Sequence, residues 1–286
     1  MVPALLKWVG SKQRSAQTIV DLFPASFNDY YEPFLGSGAV LAELMSQQRS
    51  QLLAPKHHAG YASDFLPFLI GIFQEVKERP EDLCSYYEAA LANYDEDPKS
   101  HYMEIRERFN ASPNPEDFCV LSRTCYSGII RFRKRDGYMS TPVGAHKPIS
   151  PESFRSRAFL WHDLINDVQF SCCDFADMME RAKPGDLVYC DPPYTHSQSI
   201  LYGSQDFEIN RLWESIAACK KRGCFVALSI NGSRNSGAKN IAPAIPEGLF
   251  ERRASISCGT SMIDRLQNTN KQMLNAEVKD QLLLTW

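Results

Sequence analysis

The chain has 286 residues, 44% of them hydrophobic and 23% charged, and a formal net charge of −3. That composition excludes disordered and fibrous classes, and the length fits one large domain or one domain carrying a sizeable insertion. No run of about eighteen apolar residues is present, which argues against a transmembrane helix, and the first eight residues lack the apolar core of a signal peptide, so the expected location is the cytoplasm.

In chain order, the pattern predicts a helix over 12–22, a strand over 29–34 and a helix over 38–48. A strand over 60–63 precedes helices over 65–79, 81–93 and 99–110. A strand over 168–172 leads to a short helix over 175–181, a strand over 187–190 and a helix over 210–221. Strands over 224–230, 253–257 and 279–286 close the chain. Strands alternating with helices imply an α/β fold whose sheet is mostly parallel and covered on both faces. Ligands then bind at the carboxyl ends of the strands. The alternation stops between 80 and 154, where helical stretches give way to a turn-rich run with Gly128, Gly137, Pro142, Gly144 and Pro148. Asp136-Gly137 between alternating segments signals a hairpin. Residues 80–154 therefore read as an insertion in a catalytic domain built from 1–79 and 155–286.

Charge is unevenly spread. Residues 75–117 hold twelve acidic and five basic side chains, whereas 121–160 hold eight basic (Arg123, Arg131, Arg133, Lys134, Arg135, Lys147, Arg155, Arg157) and two acidic. A phosphate backbone is attracted to the second segment and repelled by the first. From charge alone, a solvated face is the simpler reading. The nine cysteines are odd in number with no Cys-x-x-Cys pair, and the histidines show no His-x-x-x-His pair. Neither a disulfide framework nor a metal site is expected.

Three segments carry chemistry. Tyr31-Glu32-Pro33-Phe34-Leu35-Gly36-Ser37-Gly38 reads as a strand, a tight glycine turn and the start of a helix, which lets a ligand approach the backbone. The third glycine of the dinucleotide fingerprint is missing, since Leu41 stands there. Asp64 ends the next strand, where an acid accepts hydrogen bonds from ribose hydroxyls or caps the following helix. Leu187-Val188-Tyr189-Cys190 runs into Asp191-Pro192-Pro193-Tyr194. Two prolines fix the backbone and remove two donors, leaving carbonyls and the Asp191 carboxylate to accept from a planar amine stacked on Tyr194.

Together these residues resemble the Dam-like DNA adenine-N6 methyltransferase family, which uses S-adenosylmethionine. Lys7-Trp8-Val9-Gly10-Ser11-Lys12 is similar to the family's Lys-Trp-x-Gly-x-Lys segment, 32–38 to its cofactor loop, and 191–194 to its catalytic loop. Arg123–Phe132, continuing to Gly137, Pro142 and Gly144, is similar to its target-recognition hairpin. The resemblance implies a Rossmann-like methyltransferase sheet, mostly parallel with an antiparallel C-terminal strand, plus an inserted helical and hairpin target-recognition domain. It implies cofactor contacts at Trp8, Lys12, Glu32, Phe34, Gly36, Gly38, Asp64, Asp174, Phe175 and Asp191. Catalysis falls to Asp191, Pro192 and Tyr194, and nucleic-acid contacts to Arg123, Arg131, Arg133, Lys134 and Arg135. The segment departs from the family at Ser127, where an Asn is usual, and at Met139-Ser140-Thr141-Pro142, where Phe-Asn-Val-Pro is usual, so a GATC target does not carry over.

The implied reaction is a direct methyl transfer to the N6 of a flipped adenine in double-stranded DNA. Rotating the base out of the stack costs a few kcal/mol. The expected setting is a prokaryote or phage, with a cognate restriction endonuclease as a separate partner and no membrane or metal. An RNA adenine-N6 methyltransferase and a non-catalytic nucleic-acid-binding module of the same fold remain the alternative readings.

Overall fold

A central sheet organises the chain, and its strands are β1 (Tyr30–Glu32), β2 (Gly60–Asp64), β3 (Val168–Cys172), β4 (Leu187–Cys190), β5 (Phe225–Ile230), β6 (Arg252–Ser257) and β7 (Lys279–Leu284). The computed structural model describes residues 1–50, 59–193, 207–230, 244–257 and 279–286. The strand order is β3-β2-β1-β4-β5-β7-β6. The first five strands in that order pair in parallel, and β7 runs antiparallel to both β5 and β6. From β1 the chain builds outward through β2 and β3, then crosses back to place β4 on the other side of β1. The crevice at the carboxyl ends of β1 and β4 is therefore the topological switch point, where open α/β sheets bind ligands.

Both faces of the sheet are covered, and side chains alternate between them. Tyr30, Leu187, Tyr189 and Ala227 join the larger apolar cluster. Tyr31, Val188, Cys190, Val226 and Leu228 join the smaller one. β4 is buried along its whole length, which is why its sequence is a continuous apolar run rather than an alternating one. The larger side is packed by α1 (Ala16–Asp21), α2 (Ala39–Ser50), α3 (Pro67–Glu78) and α7 (Pro151–Ile165). The smaller side is packed by α8 (Phe175–Glu180) and α9 (Ile209–Arg222). No helix among the described residues is long and apolar enough to cross a membrane.

Between β2 and β3 lie α4 (Pro80–Leu91), α5 (Pro98–Ala111), α6 (Pro115–Thr124), a single 3₁₀ turn at Tyr126–Gly128, and then α7. The sequence pattern missed α6 and α7. Asn114-Pro115 and Ser150-Pro151 look like turn dipeptides, but each is an N-cap followed by proline at the first helical position. The Asn114 side chain accepts from the Asp117 amide and that of Ser150 from the Ser153 amide. The segment has no core of its own. Leu83, Tyr87, Tyr102, Phe109 and Phe118 are fully buried in the same cluster as Phe73, Trp161 and Leu187. The boundary expected at 154/155 cuts through α7.

The Asp136-Gly137 hairpin forms. Phe132 bridges Met139, the Arg133 amide donates to the Tyr138 carbonyl at 2.9 Å, and the Ser140 amide donates to the Arg131 carbonyl at 2.9 Å. Gly137 turns the loop with φ +66. Buried Met139 and half-buried Phe132, which packs on Phe68, anchor the hairpin to the core. Its basic tip stays exposed.

Candidate active site

A cavity of about 310 Å³ opens at the switch point, at the low end of the usual ligand-pocket range of roughly 300–1,000 Å³. Trp8–Lys12, the loop 32–37, Asp64-Phe65, Cys173–Phe175, Tyr189 and Asp191–Pro193 contribute its walls, with Phe207 and Arg211 closing one end. The glycine loop reaches it as expected. Gly36 has φ +48, and a Cβ there would stand 3.1 Å from the Trp8 indole nitrogen. The Gly36 amide donates to Asp64 Oδ2 at 3.1 Å, tying the β1 loop to the end of β2.

At one end of the cavity Asp191 leaves β4, and its Oδ1 lies 2.7 Å from Lys12 Nζ. Lys12 is buried, although a lysine is almost never so unless paired. Glu32, at the end of β1, is fully buried and accepts from the Tyr30 hydroxyl at 2.6 Å. Burial, reinforced by the nearby Asp191 charge, pushes its carboxyl up to about 8, against the lowering effect of Tyr30 and the Leu41 amide. Tyr189 and Ser229 share a 2.8 Å hydrogen bond alongside.

The Glu32 shift has a measurable consequence for stability. A carboxyl whose folded pKa is raised is stabilising at low pH, and that contribution is lost as pH rises through the folded value. The window here runs from about 4.5 to about 8. Urea titrations of Glu32→Gln and the native chain should show a difference that grows in favour of Glu32→Gln across that window, by an order of several kcal/mol. A difference independent of pH contradicts a neutral buried Glu32.

The opposite end is aromatic. Phe34 stacks on Phe175 with centroids 5.1 Å apart, and Phe207 meets both rings at 6.0 and 5.8 Å. Asp174 caps α8 by accepting from the Ala176 amide, and Arg211 donates to it at 2.8 Å while lying over the Phe175 ring. Asp64 also lines the cavity. Its Oδ1 also accepts from the Leu66 amide at 3.2 Å, so it serves the turn into α3 while facing the cavity. Burial pushes its carboxyl up to about 6, countered by the Gly36, Leu66 and Phe65 amides. It stays largely ionised at neutral pH.

The structure thus brings Trp8, Lys12, Glu32, Phe34, Gly36, Asp64, Asp174, Phe175, Asp191 and Pro192 to one cavity. Tyr194 lies outside the described residues. Gly38, between Ser37 and Ala39 of the cavity wall, has φ +65, and a Cβ there would stand 3.2 Å from Trp161 and 3.3 Å from Phe73, so packing against α7 and α3 also requires a glycine. Arg123 is corrected. It is 7% exposed, and its guanidinium donates to the carbonyls of Ala4 and Leu5, so it is not available to nucleic acid. Other members of the basic run also have partners, two of them in solvent-exposed ion pairs. Arg157 donates to the Ala4 carbonyl, Lys147 pairs with Asp95 at 2.5 Å, and Arg155 pairs with Glu81. The hairpin carries exposed Arg131, Lys134 and Arg135 and half-buried Arg133, with Asp136 bridging Arg133 and Arg135.

Sequence reasoning missed Phe65, Phe207 and Arg211. Phe65 follows Asp64 directly and is 46% exposed, which only the fold reveals. Phe207 stands two residues before α9 and Arg211 in its first turn, and nothing in their local sequence marks them.

A five-strand parallel block ending in a reversed strand, with a ligand cavity at the switch point, defines a Rossmann-like methyltransferase fold. Residues 8–231 match the model of the D12 class N6 adenine-specific DNA methyltransferases, and the chain belongs to that family. It is 32% identical over 197 residues to the DNA adenine methylase of Haemophilus influenzae, a match covering 68% of this chain and 64% of the relative. It is 31% identical over 196 residues to the DNA adenine methylase of Serratia marcescens, covering 67% and 66%. The type II methyltransferase M.MjaIII of Methanocaldococcus jannaschii is 29% identical over 252 residues, covering 80% and 84%. The matched part thus spans a little under two thirds of the first two relatives.

Proposed function

We propose that this chain methylates the N6 of adenine in double-stranded DNA, at a specific sequence, with S-adenosylmethionine as donor. The observation that carries the reading is the single cavity at the β1/β4 switch point, where Asp191-Pro192-Pro193 meets the glycine loop and Asp64. The residues fit that cofactor. Phe34, Phe175 and Phe207 offer flat apolar faces for an adenine ring, the ionised Asp64 carboxylate an acceptor for ribose hydroxyls, and the buried acidic groups around Lys12 a setting for a cation. When bound, the cofactor supplies a methyl group on positively charged sulfur.

The chain's own residues address the weakness of the nucleophile. The lone pair of an exocyclic amine is delocalised into its ring. Asp191 and the Pro192 carbonyl accept the amine hydrogens, which draws density back to nitrogen and favours the pyramidal form. Prolines at 192 and 193 hold these acceptors with no competing backbone donor. Lys12, at 2.7 Å, fixes the Asp191 carboxylate. Asp191 is not a general base before transfer, because an amine of this kind is far too weak an acid. Tyr194 stacks on the flipped base, worth about 1–3 kcal/mol. Trp8 shapes the pocket wall beside Gly36.

The exposed hairpin supports DNA as substrate. Arg131 reads a guanine edge, where bidentate arginine is the commonest specific contact, and Arg133, Lys134 and Arg135 grip phosphates. The turn at Tyr126–Gly128 packs on the N-terminal segment that lines the cavity, since a Cβ at Gly128 would stand 2.7 Å from the Lys7 carbonyl. Relatives named as type II methyltransferases support a setting beside a separately acting restriction endonuclease. Expression in a methylation-free host, followed by genome-wide mapping, should show modified adenines at one short sequence, with Arg131→Ala relaxing one position of it. Modified adenines scattered without a shared sequence contradict readout by the hairpin, and their absence contradicts the activity.

A further inference from the structure

Thr141 follows the returning arm of the hairpin and is 1% exposed, whereas Arg131, which it contacts on the other arm, is exposed. The Thr141 hydroxyl accepts from the Arg131 amide at 3.0 Å and donates to the Ile129 carbonyl at 2.8 Å. Two side chains of α5 hold the Thr141 carbonyl in turn: the Tyr102 hydroxyl donates to it at 2.8 Å and Arg106 Nη1 at 3.1 Å. Tyr102 is fully buried, and so is Ile130, the residue before Arg131. A path of hydrogen bonds therefore runs from the core through Thr141 to the main chain of Arg131. On its far side the Ser140 amide donates to the Arg131 carbonyl at 2.9 Å. Valine, usual at this place in the family, has the same outline but no hydroxyl, and could not make the two bonds to Arg131 and Ile129.

We propose that Thr141 is a positioning residue for sequence discrimination, its hydroxyl fixing the Arg131 main chain so that the guanidinium meets one base edge. The inference rests on the base-reading role given to Arg131 above and deepens it. A specific contact tolerates a misplacement of only about 0.5 Å and 10–20°. A long, exposed side chain meets that demand only from a fixed starting point. Removing the hydroxyl leaves an amide and a carbonyl to find new partners, and the hairpin shifts to supply them. The guanidinium then meets the base edge out of register. Arg133, Lys134 and Arg135 tolerate the same shift, because phosphate contacts carry no sequence information.

The test uses the duplex identified by genome mapping and a set in which each base pair is changed in turn, with kcat/KM measured for the full chain and its variants. Arg131→Ala marks the pair that Arg131 reads. Thr141→Val should lose about tenfold in discrimination at that pair and less than about twofold at the others, while Thr141→Ser, which keeps the hydroxyl, stays within about twofold of native. In an Arg131→Ala background, Thr141→Val should add no further loss at that pair, because the residue it acts through is gone. Thr141→Ala removes the same hydroxyl but leaves room for water to pair the freed groups, so it gives the same reading if Thr141→Val misfolds. Native discrimination in Thr141→Val or Thr141→Ala, an equal loss at every pair, lost discrimination in Thr141→Ser, or a further loss in the Arg131→Ala background overturns the proposal. Discrimination unchanged by Arg131→Ala itself overturns the base-reading role, and this inference with it.

Discussion

Asp191→Ala should lower kcat by about 10²–10³, with KM for DNA little changed. In the proposed mechanism the carboxylate accepts from the target amine, and its loss would leave the Pro192 carbonyl as the main oriented acceptor. Asp191→Asn separates charge from shape. The amide keeps the side chain's outline, but half its polar surface donates rather than accepts, so it should remain well below the native rate. Single-turnover methyl transfer on a duplex oligonucleotide measures both variants. A loss confined to KM, or an Asp191→Ala rate within a few-fold of native, would place the chemistry elsewhere in the cavity.

The second large effect is on stability. Arg123 is buried with its guanidinium on the Ala4 and Leu5 carbonyls, and burial draws its pKa down to about 10, so it stays charged at neutral pH. Arg123→Ala removes charge-assisted bonds worth roughly 1.5–3 kcal/mol each and takes the guanidinium from the Leu5 carbonyl, while Arg157 still donates to that of Ala4. A total loss of about 3 kcal/mol or more is expected in chemical denaturation. Donor affinity should fall as well, because the segment released carries Trp8 and Lys12 into the pocket. Arg131→Ala should do the opposite, leaving stability within about 0.5 kcal/mol while weakening DNA binding. Native stability in Arg123→Ala together with weakened DNA binding would reverse the two assignments.

These contrasting arginines show what could be read from the sequence. The charge run over 121–160 is visible in one dimension, but its partners are not. Glu81, Asp95 and the carbonyls of Ala4 and Leu5 are far away in the chain, and only folding brings them to Arg155, Lys147 and Arg123. The strand ends were legible because their chemistry is local. Glycine turns, an acid after a short apolar strand and a double proline each constrain the backbone where they stand. Gly38 is legible only in part: its turn geometry is that of a ligand loop, while its proximity to Trp161 depends on α7, a helix hidden behind a Ser-Pro start. Phe207 and Arg211 reach the cavity region only because α9 packs beside β4 and β5. No local pattern announces that.

The most direct measurement is methyl transfer from labelled S-adenosylmethionine to duplex DNA and, separately, to folded RNA, with the products digested to nucleosides and resolved by mass spectrometry. Label recovered as N6-methyl-2′-deoxyadenosine, and lost with Asp191→Ala, is the predicted result. Label found only in RNA, on cytosine, or in DNA at an undiminished level with Asp191→Ala contradicts the account.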